Sequence, residues 1–281
     1  MEIPVLLFKT IALRPYVFIF LAAFLFSSIV MMGRRRTLVF WVGTWILAFL
    51  SEFCSTRTGF PYGWYHYTGS TRGQELFVFN VPFMDSLSYS FLLFASYSMA
   101  LFTLAPLYVR GMNVQVADSF DLRGSWRVLV LTAVYMMMID VIIDPVALQG
   151  EKWFLGKIYG YRDHGFYFGI PLSNAFGWAL VALAATYLFQ RLQKKFLGPG
   201  FRDKGVWVFW GRGWMGVGLY YGVLLFNLSV TAWIGDYPLL LAGIFIYCIP
   251  TAILFLRLFD PRARASEHVW KQHLEEFSLK E

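Results

Sequence analysis

Four carboxylates stand in or beside stretches otherwise too apolar to hold a charge: Glu52, Asp85, Asp140 and Asp144. An ionised carboxylate near the centre of a bilayer costs roughly 2.5–3.5 kcal/mol on insertion scales, so acids placed there mark function by default. Asp140 and Asp144 lie four residues apart, which puts them on one face of a helix. Two carboxylates in a low-dielectric site do not both ionise cheaply, so one is expected to keep its proton near neutral pH and serve as a general acid. Pro145 is expected to end that helix, leaving Asp144 at the rim and Asp140 one turn deeper, with Glu52 ending its own helix at the same rim. The competing reading is structural: ion pairs from these acids to Arg57, Arg72, Lys152 or Arg162 would simply hold the neighbouring loops down. Asp85 and Asn174 each follow a span-opening proline by three residues, where a side chain can cap backbone as well as face a ligand.

With 29 Phe, 16 Tyr and 11 Trp, most aromatics must be interfacial belt or lipid-facing packing. The dense clusters fall in two long, Gly-rich loops, 55–81 and 148–168. There Trp64, Tyr65, Tyr67, Trp153 and Tyr167, with Tyr62, Tyr159, Tyr161, Phe166 and Phe168 beside them, offer ring faces that stabilise a cation and hydroxyls that position water. His66 and His164 have no second ligand at metal spacing, and Cys54 and Cys248 read as packing residues, so no metal is expected. No P-loop, dinucleotide fingerprint, HExxH or GxSxG occurs in a usable context, which disfavours nucleotide-driven and serine-hydrolase chemistry.

The elements that must position these groups are membrane helices. At 281 residues with 58% hydrophobic and 15% charged content, the chain is too apolar for a soluble domain of its length. Its apolar runs lack the period-two alternation of a membrane barrel, which leaves an all-α polytopic bundle. Seven spans are expected at 14–32, 38–54, 82–109, 126–147, 169–190, 207–230 and 235–259, within a single transmembrane domain 1–281. The first run is longer than a signal-peptide core and is expected to stay as a span. The formal charge is +7, and sorting the 24 Lys and Arg by loop puts seventeen on one side and seven on the other. That bias places the C-terminus in the cytoplasm and the N-terminus outside, the simplest setting being a prokaryotic inner membrane, and carries no implication of nucleic-acid binding. The tail 260–281 suits either a short amphipathic helix using Val269, Trp270, Leu274 and Phe277, or a solvated cytoplasmic segment.

The two loops also align as a weak repeat: an acid ending one span (Glu52; Asp144), an aromatic Gly-rich loop, then Val81-Pro82-Phe-Met-Asp85 or Ile170-Pro171-Leu-Ser-Asn174. Both copies leave and re-enter the membrane in the same sense, so they would be parallel repeats sharing one pocket.

Taken together, Glu52 with Thr58-Gly-Phe-Pro-Tyr-Gly-Trp-Tyr-His-Tyr67, Val81-Pro82, Asp140-Val-Ile-Ile-Asp144-Pro145 and Tyr167-Phe-Gly-Ile-Pro171-Leu-Ser-Asn174-Ala-Phe-Gly-Trp178 resemble the membrane carotenoid-biosynthesis family that includes the CruF-type carotenoid 1,2-hydratases. The resemblance implies cofactor-independent addition of water to the terminal double bond of an acyclic carotenoid ψ-end. It implies a hydrophobic polyene substrate, a lipid setting and other carotenoid-pathway enzymes as possible partners. On that reading Asp144 or Asp140 donates the proton, Glu52 with Asp85 orients or deprotonates water, and Tyr65, Trp64, Tyr67, Trp153, Tyr167 and Asn174 line the pocket. Tyr62 departs from the phenylalanine expected at its place. Alternatives are a membrane lycopene-type cyclase, whose paired acids after a proline are missing here, and a non-catalytic pigment-binding transporter.

Overall fold

The computed structural model describes residues 3–152, 155–198, 201, 203–204, 206–277 and 279. In lipid each apolar run bonds its own backbone by coiling, and seven helices among the described residues are long and apolar enough to cross a membrane. A short apolar helix, α1 (Ile3–Leu13), leads into α2 (Pro15–Met32) and α3 (Arg34–Thr58). The first aromatic loop carries β1 (Tyr65–Tyr67), β2 (Phe77–Val78) and β3 (Val81–Pro82) and feeds α4 (Phe83–Leu104). A hairpin of β4 (Leu107–Arg110) and β5 (Asn113–Val116), then the single turn α5 (Phe120–Arg123), precede α6 (Trp126–Ala147). The second aromatic loop carries β6 (Tyr159–Tyr161), and α7 (Leu172–Phe196), α8 (Trp214–Ile234), α9 (Tyr237–Phe259) and α10 (Glu267–Glu276) complete the chain.

Helix α4 is the hub of the bundle, buried along nearly its whole length and packed by α2, α3, α6, α8 and α9. Small residues let helices approach closely where lipid supplies no hydrophobic drive. At Gly216 of α8, for example, a Cβ would stand 2.1 Å from the Cβ of Ser98.

Boundaries depart from the hydropathy reading where local chemistry intervenes. The third span stops at Leu104 rather than 109, because Pro106 holds Ala105 extended at ψ 154° and the helix cannot continue into it. Conversely, Pro145 does not end α6, which runs on to Ala147. A proline in the last turn forgoes one backbone bond and little else. The tail is a docked helix: Ser266 caps α10 by accepting from the amide of Val269, and Trp270 stacks on Tyr108 at 5.0 Å and 4°. Beneath it Asp118 is buried against Arg123 at 2.6 Å and His273 at 3.2 Å. Burial works against the Asp118 charge, but Arg123 and His273 outweigh it and hold the carboxyl well below the usual range. Both cysteines are exposed rather than packed inside.

Candidate active site

The two aromatic loops meet at one end of the bundle and join into a cap. β1 pairs antiparallel with β6, with Tyr65 opposite Tyr161, His66 opposite Gly160 and Tyr67 opposite Tyr159. Because successive side chains on a strand point to opposite faces, the Tyr-x-Tyr of each strand sends two hydroxyls down into the bundle. Tyr67 donates to the Glu52 carboxylate at 3.1 Å. Tyr159 and Tyr161 donate to the Asp144 carboxylate at 3.1 and 2.9 Å. Burial first, then the neighbouring carboxylate, pushes all three phenols well above the ordinary tyrosine range, so they remain donors.

The repeat seen in the sequence is carried into backbone detail. Phe79 and Phe168, each three residues before its proline, both adopt positive φ, 58° and 47°, in tight turns that reverse the chain into the proline. Pro82 and Pro171 are the N-cap residues of α4 and α7. The donor tyrosine lies fifteen residues after the acid in both copies, Tyr67 after Glu52 and Tyr159 after Asp144. The cap sits close on α7: a Cβ at Gly177 would stand 2.8 Å from the carbonyl oxygen of Pro61.

Where the copies differ, they differ in charge. In the second, Asn174, 1% exposed, donates through its amide to Asp140 at 2.9 Å and to Asp144 at 2.8 Å. In the first, the matching Asp85 is held by Arg14 at 2.5 Å, and Arg14 also pairs with Glu75 at 2.8 Å. Burial works against the Arg14 charge, but Asp85, Tyr16 and Glu75 together raise its pKa above the ordinary value. Ala48 stands where Asp140 stands in the other copy, one helical turn below the acid. None of the four cations considered from sequence pairs with these acids: among the described residues no Lys, Arg or His forms an ion pair with Glu52, Asp140 or Asp144.

Beneath the cap lies a cavity of about 170 Å³. Of the residues anticipated, Glu52, Asp85, Asp144, Asn174, Tyr65 and Tyr67 line it. Asp140 lies just behind the wall, reached through Asn174, with its second oxygen buried and unbonded among the described residues. Trp64 is 43% exposed, on the outer side of the cap, and Tyr167 is half-buried away from the cavity wall. Trp153 lies outside the described residues. The sequence reading passed over Arg14, Tyr16 and Asn227, which also line the cavity; Tyr159 and Tyr161, read there only among the rings and hydroxyls of the second loop, are the donors to Asp144. The tyrosines had a signal, the Tyr-x-Tyr shared by both loops; Arg14 had none beyond its position at a helix start.

Fold and site together define a polytopic helical membrane protein with an acid-bearing, tyrosine-capped pocket. A family model described as carotenoid biosynthesis protein matches residues 5–250, and the chain belongs to that family. No curated protein and no solved structure matches it. The chain is thus an integral membrane protein with a role in carotenoid biosynthesis, acting on a hydrophobic polyene in a lipid environment.

Proposed function

We propose that the protein is a carotenoid 1,2-hydratase, adding water across the terminal trisubstituted double bond of an acyclic ψ-end. The observation that carries this reading is the pair of unlike acidic corners facing one cavity, both built without a direct cationic partner on the reacting carboxylates. The Asp140–Asp144 pair holds one proton between two carboxyls bridged by Asn174. Asp144, the member on the cavity wall, delivers it to the CH carbon of the alkene. The π electrons form the new C–H bond, and the positive charge falls on the carbon bearing two methyls. Tyr65, Tyr67 and Trp178 present ring faces and hydroxyls to that cation. Glu52, with Tyr67 on it, orients water and takes its proton as the C–O bond forms, giving a tertiary alcohol with no change of oxidation state. The two corners then exchange a proton through solvent and are restored. Asp85, already held by Arg14, fixes the cap end of α4 rather than sharing the base role.

The same reading sets the capped end outside and α10 in the cytoplasm of a prokaryotic inner membrane, in reach of other carotenoid-pathway enzymes. The test is pigment analysis of cells making lycopene or γ-carotene with and without the protein. A mass gain of one or two waters is expected. An isomeric, less polar ring product would transfer the same acid to a cyclase, and unchanged pigment would favour a binding or transport role.

A further inference from the structure

The cavity has two unlike ends. Its polar end lies under the cap; its other end is walled by Phe20 of α2, Phe91 of α4, Ile143 of α6 and Val223 and Phe226 of α8. A space of about 170 Å³ takes the end of a long polyene and not its length, so the remaining chain must leave the bundle while the end group reacts. Two seams border the apolar end. Beside the seam between α6 and α8, Val146 of α6 and Val230 of α8 pack with Leu155 and Ile158 of the second loop and Leu239 of α9, a buried aliphatic cluster that Tyr16 and Phe226 border.

The seam between α2 and α8 carries three packed rings, with Val17 and Val223 beside them on the cavity wall. Phe226 stacks on Tyr16 at 5.0 Å and 16° and meets Phe20 edge-on at 5.7 Å. Each of these rings lies one residue round its helix from, or close beside, a side chain turned out of the bundle, Ile19 at 67% and Leu225 at 60% exposure. One turn along α8 from Phe226, Gly222 leaves a groove: a Cβ there would find Phe20 as its nearest neighbour, at 3.8 Å. We infer that the polyene chain runs from the cavity to lipid through the α2–α8 seam, with Phe20 and Phe226 as its walls, Gly222 as its floor, and these residues setting the length and bulk of substrate accepted. Flat rings suit a flat conjugated chain, because they offer contact area at little conformational cost.

The chemistry at the polar end rests on the hydratase reading, but occupancy of the seam does not, and the experiment separates the two. Purified wild type, Gly222→Phe and Asp144→Asn are compared for polyene carried through purification from lycopene-making cells, read by visible absorbance. The same proteins are then compared for hydration of lycopene and of a short acyclic isoprenoid with the same terminal alkene. Gly222→Phe is expected to lose bound polyene and at least tenfold of lycopene turnover while the short substrate reacts as in wild type. Asp144→Asn should keep its polyene and turn over neither. Wild-type polyene retention in Gly222→Phe would overturn the seam assignment. Loss of retention in Gly222→Phe without any hydration by wild type would leave the seam standing and remove the hydratase. Gly222→Leu, a smaller obstruction, repeats the test should melting in detergent show that the phenylalanine disturbs the helix.

Discussion

The two corners of the pocket occupy matching places in a repeated helix–loop–helix unit, yet one contains a fixed cation and the other does not. Around Glu52, the second carboxylate of the copy, Asp85, is neutralised by Arg14, a residue from outside both repeats. Around Asp144, the second carboxylate is Asp140, and its partner is an amide. A carboxyl pair facing only neutral donors must keep a proton, whereas a lone carboxylate near a buried ion pair is free to accept one. Repetition thus supplies two acid positions, and the places where the copies depart from each other, Arg14, Asp140 and Asn174 against Asp85, are what the proposed mechanism uses to make one a donor and the other an acceptor.

Removing the reacting groups should have the largest effect. Asp144→Asn and Glu52→Gln are each expected to lower product formation by roughly 10²–10⁴-fold, the range of general acid–base contributions, at unchanged membrane abundance. Full activity in both would dissolve the assignment. Next come exchanges at the matched positions. Asn174→Asp adds a third carboxyl beside Asp140 and Asp144 with no cation to meet it, and should cost roughly 3–5 kcal/mol of stability, as an uncompensated buried charge does. Asp85→Asn leaves Arg14 on Glu75 and should cost about 1 kcal/mol, the scale of one hydrogen bond. Melting temperatures in detergent check the pair, and equal losses would mean that the corners are electrostatically alike.

Smaller differences should separate the tyrosines. Among the described residues the Glu52 carboxylate receives one side-chain hydrogen bond, from Tyr67, while that of Asp144 receives three, from Tyr159, Tyr161 and Asn174. A hydrogen bond to a charged group contributes about 1.5–3 kcal/mol, so Tyr67→Phe should reduce turnover about tenfold or more and Tyr159→Phe distinctly less. Single-turnover hydration rates would reverse this order if Asp144 depended on one donor. The smallest effect concerns the far end. The Asp118 carboxyl is depressed in the folded protein, so its contribution is complete above the unfolded value of about 4 and is lost only as pH falls below that. Melting followed from pH 8 down to 3 should therefore show no change attributable to Asp118 between pH 5 and 8, its stabilisation being fully present throughout that window.

Hydropathy made the seven spans legible, and the cost of burying charge made Glu52, Asp140 and Asp144 legible, because both are local properties of the chain. The Asp144–Asn174 contact was half legible, as two residues of one motif without the amide bridge between them. Arg14 was not, since a cation between two apolar stretches looks like any loop cation until the fold brings Glu75 and Asp85 to it. Trp64 and His66 shared the density of their loop with Tyr65 and Tyr67, and strand alternation decides which pair faces the pocket. That alternation acquires meaning only once β1 finds β6.

The pairing of β1 with β6 also fixes the order of assembly. When α3 and α4 enter the membrane, β1 has no partner, since β6 emerges only after α6 has been inserted. Glu52 and Tyr67 therefore wait, half assembled, until the second loop arrives and the cap closes over both corners together. A chain arrested before β6 lacks the cap and the bridging amide alike, and one arrested between β6 and α7 has the cap strands but not Asn174.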